Sequence, residues 1–384
     1  MKIGITCYPT YGGSGAVATE LGIALAARGH EVHFITYQQP FRLPNFLPRV
    51  WFHEVDVGRY PLFEYPPYDL ALAVRMHEVV RDHQLDVLHC HYAIPHATSA
   101  WIAREMLREQ SADVRVVTTL HGTDITIVGQ ERSFYSITRF SIEKSDSVSA
   151  VSEYLRDETY RAFGCVGCNV RVIHNFIDPV LFDRASHVFP IPDDVVRGRK
   201  IVMHISNFRA VKRVRDVVRV FARINASVPA MLVMVGDGPE RVEAEARDLG
   251  VAESVLFLGK IDAIAPLLAG AHLFLLPSDK ESFGLSALEA LASGVPVIGA
   301  DAGGLPEVVT HGVTGFLCGV GDVEAMSLAG AALLADSPRW QAMSAAAADD
   351  ARRRFSQDAV VAQYEALYEE TLAAGRLVAH AERA

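Results

Sequence analysis

Cysteine is scarce in this chain, five among 384 residues, and so odd and sparse a number excludes a disulfide framework and fits a reducing compartment. Cys165 and Cys168 are the one pair with suggestive spacing. With no second such pair and no neighbouring histidine pair, they read as two thiols in a loop. Long apolar runs are also missing: hydrophobic residues make up 50% of the chain, yet none of their runs approaches the ~18 uninterrupted residues of a membrane span. An excess of positive charge is absent too. The formal charge of −10 argues against a broad nucleic-acid or anionic-membrane footprint, and the one local basic cluster runs from Arg209 to Arg215. The chain opens on a strand pattern, Met1-Lys-Ile-Gly-Ile-Thr6, rather than an apolar export signal, so a cytoplasmic protein is expected.

What is present is a repeated alternation of short apolar runs with longer helical patterns, the signature of a mainly parallel sheet wrapped by helices. Strands are predicted at Lys2 to Tyr8, Glu31 to Tyr37, Val87 to His91, Val114 to Leu120, Ser147 to Val151 and Val170 to Ile173. A helix fills Gly15 to Arg28 and ends at Gly29. Pro40 to Tyr68 reads as a long insertion rich in proline and aromatics, including Phe41, Phe46, Trp51, Phe52, Tyr60, Phe63 and Tyr65. The pattern lapses around Asp183 to Arg199, where a linker is expected. It then restarts with strands at Ile201 to Ser206, Met231 to Gly236, Val255 to Leu258, Leu273 to Leu276 and Val295 to Ala300. Two α/β domains of similar design follow, 1–185 and 186–355. An amphipathic helix from Ser356 to Leu372 can pack on either.

The strongest chemical signal is Glu281-Ser-Phe-Gly-Leu-Ser-Ala-Leu-Glu289. Glu289 sits among leucines and alanines, where an ionised carboxylate costs several kcal/mol unless a polar group binds it. Ahead of it, Ser282, Phe283 and Gly284 offer a turn whose free amides and helix-dipole end favour a phosphate. Gly12-Gly-Ser-Gly15, between the first strand and its helix, lets an anion approach the backbone closely. It fits a loose dinucleotide fingerprint, but Tyr37-Gln38-Gln39 supplies no acid for the ribose, so another anion or a structural turn is preferred.

His89-Cys-His91-Tyr92 and Thr118-Thr-Leu-His121-Gly-Thr-Asp124 both end predicted strands, where doubly wound sheets place ligand loops. His121 is the better candidate because a flexible polar turn follows it. The spacing of His89, His91, His96 and His121 matches no familiar zinc pattern, and no metal is assigned. In the second half, Arg209 and Lys212 either clamp a diphosphate or begin a solvated helix. Gly236-Asp-Gly238-Pro and Gly303-Gly-Leu-Pro-Glu307 are further glycine turns at strand ends. Their joint placement in one half suggests a single nucleotide-diphosphate site.

Taken in order, Gly12-Gly-x-Gly15, Gly236-Asp-Gly-Pro239, Glu281-x7-Glu289, Gly303-Gly-x-Pro-Glu307 and Gly312-x-x-Gly-Phe316 span nearly the whole chain. The chain resembles the family 4 retaining glycosyltransferases, whose GT-B architecture sets two Rossmann-like doubly wound domains facing each other across a cleft. More narrowly, Ile5-Thr-Cys-Tyr-Pro9, His91-Tyr-Ala-Ile-Pro-His96, the His121 segment, His174-Asn-Phe-Ile-Asp178 and His204-Ile-Ser-Asn-Phe-Arg209 are similar to members of that family that glycosylate L-malate in bacillithiol biosynthesis.

The resemblance implies transfer of N-acetylglucosamine from UDP-N-acetylglucosamine to the hydroxyl of L-malate with the α configuration retained. On that basis Glu289 binds the ribose hydroxyls and Glu281 the sugar 3-hydroxyl, Ser282, Phe283 and Gly284 donate backbone hydrogen bonds, His121 lies beside the sugar 6-hydroxyl, and Lys212 stabilises the departing diphosphate. Gly236 and Gly238 belong to the donor set. The family often pairs that lysine with an arginine five residues earlier, where this chain has Asn207. Arg209 is the nearby cation that can compensate.

For malate, the candidates are Gly13, Ser14, Tyr92, Thr119 and Arg139. No tightly bound cofactor, nucleic acid or membrane partner is expected, and a homo-oligomer stays open. The same fold with an inositol phosphate, sugar or lipid acceptor is the nearest alternative, and a non-catalytic nucleotide-sugar-binding protein a more distant one.

Overall fold

A computed structural model of the chain describes residues 1–10, 12–58, 64–164 and 169–381, with backbone alone over 376–381. Cys165 and Cys168, together with Tyr60 and Phe63 of the aromatic segment, lie outside the described residues. The described chain divides into two compact units, Met1–His174 with Asp358–Ala384, and Asn175–Gln357.

Unit 1 is built on seven strands: β1 (Lys2–Thr6), β2 (Glu31–Thr36), β3 (Val50–Glu54), β4 (Val87–His91), β5 (Arg115–Leu120), β6 (Ser147–Ala150) and β7 (Val170–Val172). Their order across the sheet is β3-β2-β1-β4-β5-β6-β7, with every pairing parallel. Strands covered on both faces read as continuous apolar runs, which is why β1 and β4 stood out in the sequence. β3 did not. It is an edge strand whose Trp51 and Phe52 are each more than a third exposed, so it lacks the buried-run signal and falls within the predicted insertion Pro40 to Tyr68.

Unit 2 carries β8 (Lys200–Ile205), β9 (Ala230–Val235), β10 (Val255–Gly259), β11 (Leu273–Leu276), β12 (Val297–Ala300) and β13 (Gly315–Cys318). The order is β10-β9-β8-β11-β12-β13, again all parallel. β13, four residues at the other edge, was not predicted as a strand. The helix Val214–Asn225 shows how the core is filled: Val214, Val217, Val218, Phe221 and Ile224 recur at helical spacing and are buried against Val202, Leu232 and Leu273 of the sheet.

The division between units falls at His174 and Asn175, ahead of the predicted linker at Asp183 to Arg199. That stretch is held to unit 2. Arg184 donates to the Ser293 carbonyl at 3.1 Å, and Arg352 reaches Asp183 at 3.3 Å. At the other end, the helix Ser337–Phe355 stops where Ser356 turns extended.

The helix Gln357–Ala381 then packs on unit 1, burying Val360, Val361, Tyr364, Leu367 and Tyr368. Glu365 accepts from Arg28 at 2.8 Å and meets His30 at 2.8 Å, and Ser147 and Thr371 share a hydroxyl bond of 2.7 Å. Tyr368 is fully buried, and its hydroxyl meets His89 Nδ1 at 2.8 Å. Removing that hydroxyl leaves a buried ring nitrogen without its partner. Tyr368→Phe is expected to destabilise unit 1 by about 1–3 kcal/mol, read as a lower midpoint in urea denaturation of the full chain; an unchanged midpoint contradicts the assignment.

Candidate active site

In an open parallel sheet, loops that leave neighbouring strands on either side of the order reversal turn to opposite faces, opening a crevice at the strand carboxyl ends. Unit 2 reverses at β8, which lies between β9 and β11. The residues predicted for the donor gather there. Lys212 closes the short turn Ala210–Lys212 beyond β8, and Glu281 follows β11. Lys212 Nζ donates to Glu281 Oε1 at 2.6 Å, and the Ser278 hydroxyl donates to the same oxygen at 2.9 Å. Glu281 is only 8% exposed, so its charge depends on these two donors. Taking one partner from such a buried pair costs about 3–5 kcal/mol.

The loops around the pair lock together through their backbones. Asp279 N–H donates to the Val211 carbonyl at 2.9 Å, and Gly304 N–H to the Glu281 carbonyl at 2.8 Å. Gly303 has φ +62, and any Cβ there collides with the Glu281 carbonyl. The Gly303-Gly304 pair therefore serves backbone docking. The Gly304 amide is occupied by that docking.

The same holds across β8 and β9. Gly236 has φ +127 and sits against the Ser206 carbonyl, while Gly238 approaches the Phe208 backbone too closely for a side chain. Phe208 N–H donates to the Asp237 carbonyl at 2.9 Å. His204 anchors the start of this loop: its Nδ1 lies 2.8 Å from the Leu275 carbonyl and must donate, so Nε2 accepts from the Ser206 hydroxyl at 2.7 Å. Burial pushes the His204 pKa down to about 4, which keeps the ring neutral.

Asn207 and Arg209 are brought together. With the Asn207 amide oxygen turned toward it, Arg209 donates through Nη2 at 2.9 Å and Nε at 3.2 Å. The guanidinium is thus held against Asn207. Glu289 is 4% exposed within the helix Leu285–Ala292, which begins after Gly284. Phe283 is buried and meets Phe355 edge to face at 5.6 Å.

Unit 1 reverses at β1, between β2 and β4. Ser14 lies in the first turn of the helix Gly13–Ala27, and no side chain caps that helix at Gly12. Tyr92, just past β4, donates from its hydroxyl to Ser14 Oγ at 3.1 Å, joining the loops on the two sides of the reversal. The ring of His121 lies 5.3 Å from that of Tyr92. Tyr92 adopts φ 108 and ψ 140, a conformation almost confined to glycine. Its amide is secured on the Thr119 carbonyl at 3.0 Å. Strain of roughly 1–3 kcal/mol persists only where surrounding contacts over-determine it, and it concentrates at functional positions.

Beside these residues the imidazoles of His91 and His96 are fully buried and that of His121 is half-buried. His121 Nε2 meets His91 Nδ1 at 2.8 Å, and His96 donates from Nδ1 to the His91 carbonyl at 2.6 Å. Burial holds His121 at about 3, His96 at about 4 and His91 well below its ordinary value, with the neighbouring rings adding to the effect on His91 and His121. Asp124 is buried as well and accepts the amides of Ala93 and Gly122, each at 3.0 Å; burial raises its pKa to about 6.

The side chains of two acceptor candidates have partners of their own. Thr119 is fully buried, its hydroxyl shared with His89 Nε2 at 2.7 Å and Ser149 Oγ at 2.8 Å. Arg139 lies on the helix Tyr135–Lys144, partly exposed, and pairs with Glu143 at 2.8 Å. Both residues were chosen for their chemistry alone. The pairing of His91 with His121 and the donation of Ser278 to Glu281 were not foreseen, since neither spacing follows a motif.

Comparison with known proteins fits this arrangement. A model of glycosyltransferase family 4 matches residues 11–181, and one of group 1 glycosyl transferases matches residues 193–350. The N-acetyl-alpha-D-glucosaminyl L-malate synthase of Bacillus anthracis is 48% identical over 375 residues, covering 97% of each chain. The chain belongs to the family 4 glycosyltransferases. Among solved structures, a sucrose-phosphate synthase from Thermosynechococcus elongatus superposes with a TM-score of 0.77 at 23% identity, covering 97% of this chain and 100% of the other. The Anabaena protein Alr3699/HepE in complex with UDP-glucose gives 0.75 at 21% identity, covering 97% and 100%. Both likenesses concern the fold. Among the described residues, no helix is long and apolar enough to cross a membrane.

The buried histidines of this glycosyltransferase carry a pH consequence. Folding depresses His33, His53, His89, His91, His96 and His121 below their ordinary value of 6.5. The unfolded chain therefore takes up protons first, and the stability these groups contribute, complete above pH 6.5, is lost as pH falls toward 4. Each contributes a slope of about 1.4 kcal/mol per pH unit in its window. Asp124, raised rather than lowered, acts in the opposite direction between pH 4 and about 6, but it is one group against several. Urea midpoints are expected to fall steeply from pH 6.5 to 4.5, and a flat profile contradicts the buried, neutral state of the rings.

Proposed function

We propose that this chain transfers N-acetylglucosamine from UDP-N-acetylglucosamine to the hydroxyl of L-malate, with the α configuration retained, the first step of bacillithiol biosynthesis. The observation that carries the reading is the 48% identity to the Bacillus anthracis synthase across 97% of both chains. In the reaction the bond from the anomeric carbon to the diphosphate breaks, a bond to the malate oxygen forms, and the hydroxyl proton passes to a phosphate oxygen of the leaving UDP. No protein nucleophile is required. Catalysis rests on orientation and on stabilising the charge that grows on the diphosphate.

Unit 2 supplies the donor set in this reading. Lys212, already aligned by Glu281, and Arg209, held by Asn207, provide positive charge, Ser282, Phe283 and Gly284 provide amides, and Gly236 and Gly238 shape the adjoining turn. Glu281 takes the sugar and Glu289 the ribose. Unit 1 supplies the acceptor set. The uncapped amides of Gly13 and Ser14 at a helix N-terminus suit a carboxylate, with the Tyr92 hydroxyl beside them. His121, neutral and oriented by His91, can hydrogen-bond a sugar hydroxyl without adding charge. Thr119, bonded to His89 and Ser149, supports this set through its carbonyl bond to the Tyr92 amide, and Arg139, paired with Glu143, is left out of this reading.

Incubation with UDP-N-acetylglucosamine and a panel of hydroxy acids, inositol phosphates and sugars tests the acceptor. UDP release should depend on L-malate, with a product of the mass of the glycoside and an α linkage by NMR. Release dependent on another acceptor, or none, rejects the malate assignment. Lys212→Ala should lower kcat by about 100-fold or more while moving the donor KM less than about tenfold. Equal losses in both would assign the lysine to ground-state binding alone.

A further inference from the structure

Three histidines distant in sequence meet beside the edge strand of unit 1. His33 lies on β2, His53 on β3, and His83 ends the helix Tyr68–His83. One nitrogen from each ring lies within 4.8 Å of the others. His33 Nδ1 and His53 Nε2 are 2.9 Å apart, and the ring of His83 lies 4.6 Å from that of His33 and 5.0 Å from that of His53. Register explains the convergence. His33 pairs with Trp51 and Ile35 with His53, so His33, Trp51 and His53 share one sheet face, and Trp51 stacks on His33 at 4.8 Å.

Such a cluster makes little sense as packing alone. The Nε2 of His33 is buried without a hydrogen-bond partner among the described residues, a cost of about 1–3 kcal/mol. Imidazole binds a metal through an unprotonated ring nitrogen, and each of these rings offers one to the same small space. Two cations stand nearby, and each has a carboxylate of its own: Lys2 lies 3.8 Å from Glu31, and Arg75 lies 3.0 Å from Glu78.

We propose that His33, His53 and His83 form a three-histidine site for a divalent transition-metal ion of the zinc class, which ties edge strand β3 to β2 and to the end of the helix Tyr68–His83. Zinc–imidazole bonds of ~2.0–2.1 Å place three nitrogens ~3.3 Å apart on a tetrahedral face, leaving a fourth position for water. The present spacing brackets that value, so small ring rotations complete the site. All three ligands are imidazoles, which suit zinc, cobalt, nickel and copper rather than magnesium or calcium. The ligands lie at β2, β3 and the helix end, apart from the strand-end residues assigned to the transfer reaction.

The full-length protein, stripped with a chelator and titrated with cobalt(II), tests this directly. Wild type should bind about one equivalent with the visible d–d bands of nitrogen-ligated cobalt, which zinc then displaces, and zinc should raise its Tm. His53→Gln and His83→Gln, checked for folding by circular dichroism, should each weaken binding at least tenfold and abolish the rise in Tm. His83 is at a partly exposed helix end, so its variant keeps the test interpretable if the strand variant folds poorly. Absence of stoichiometric binding by wild type overturns the proposal, as does binding unchanged in the His83 variant.

Discussion

Everything in this molecule that bears on chemistry depends on one constraint, the reversal of strand order in an all-parallel sheet. Because all strands run one way, every loop that can carry function leaves from the same edge, and at the reversal two adjacent loops part. Unit 1 reverses at β1 and unit 2 at β8. In each, a side-chain bond spans the parting loops: Tyr92 to Ser14 in the first, Lys212 to Glu281 in the second. The two bonds differ in kind. The first is a neutral hydroxyl pair and the second a largely buried ion pair.

The surroundings of each bond explain how it is held. In unit 2 the backbones do the work: Gly236 and Gly303 let neighbouring loops dock at distances that no side chain allows, so Lys212 and Glu281 need no long side-chain scaffold. In unit 1 the work falls to buried imidazoles. His121 leans on His91, whose carbonyl fixes His96, while His89 joins Thr119 to Tyr368 of the C-terminal helix. In a low-dielectric interior such bonds are strong when satisfied and costly when broken. The C-terminal helix, last in the sequence, thereby supports the strand that ends at His91.

Much of this was legible in the sequence because its causes are local. Buried parallel strands write continuous apolar runs, and the glycines and acids of unit 2 stand at strand ends. Glu289 announced itself as a carboxylate among leucines and is buried. β3 was illegible because an edge strand with exposed aromatics writes no such run, and β13 because four residues are too few. Thr119 and Arg139 have partners that the sequence does not announce. One hydroxyl is buried between histidine and serine, and one guanidinium is committed to Glu143. The convergence of His33, His53 and His83 had no sequence signal, since their spacing reflects strand register and helix length rather than a motif.

The acceptor is where local reasoning ends, for a physical reason. A diphosphate carries concentrated charge, and the cations, amides and glycine turns that meet it are restricted in type and spacing, so they can be recognised one at a time. A hydroxy acid asks only for a few donors in a particular arrangement. The open amides of the helix Gly13–Ala27 would serve any carboxylate, and the Tyr92 hydroxyl would serve almost any polar group. Selectivity for any one acid would then have to come from the fixed positions of such donors, and the bond from Tyr92 to Ser14 is the contact that holds the two loops in register. A residue held in a strained backbone conformation has few alternatives for its side chain. The strained backbone of Tyr92 is held by its amide bond to the Thr119 carbonyl, and its hydroxyl by the bond to Ser14.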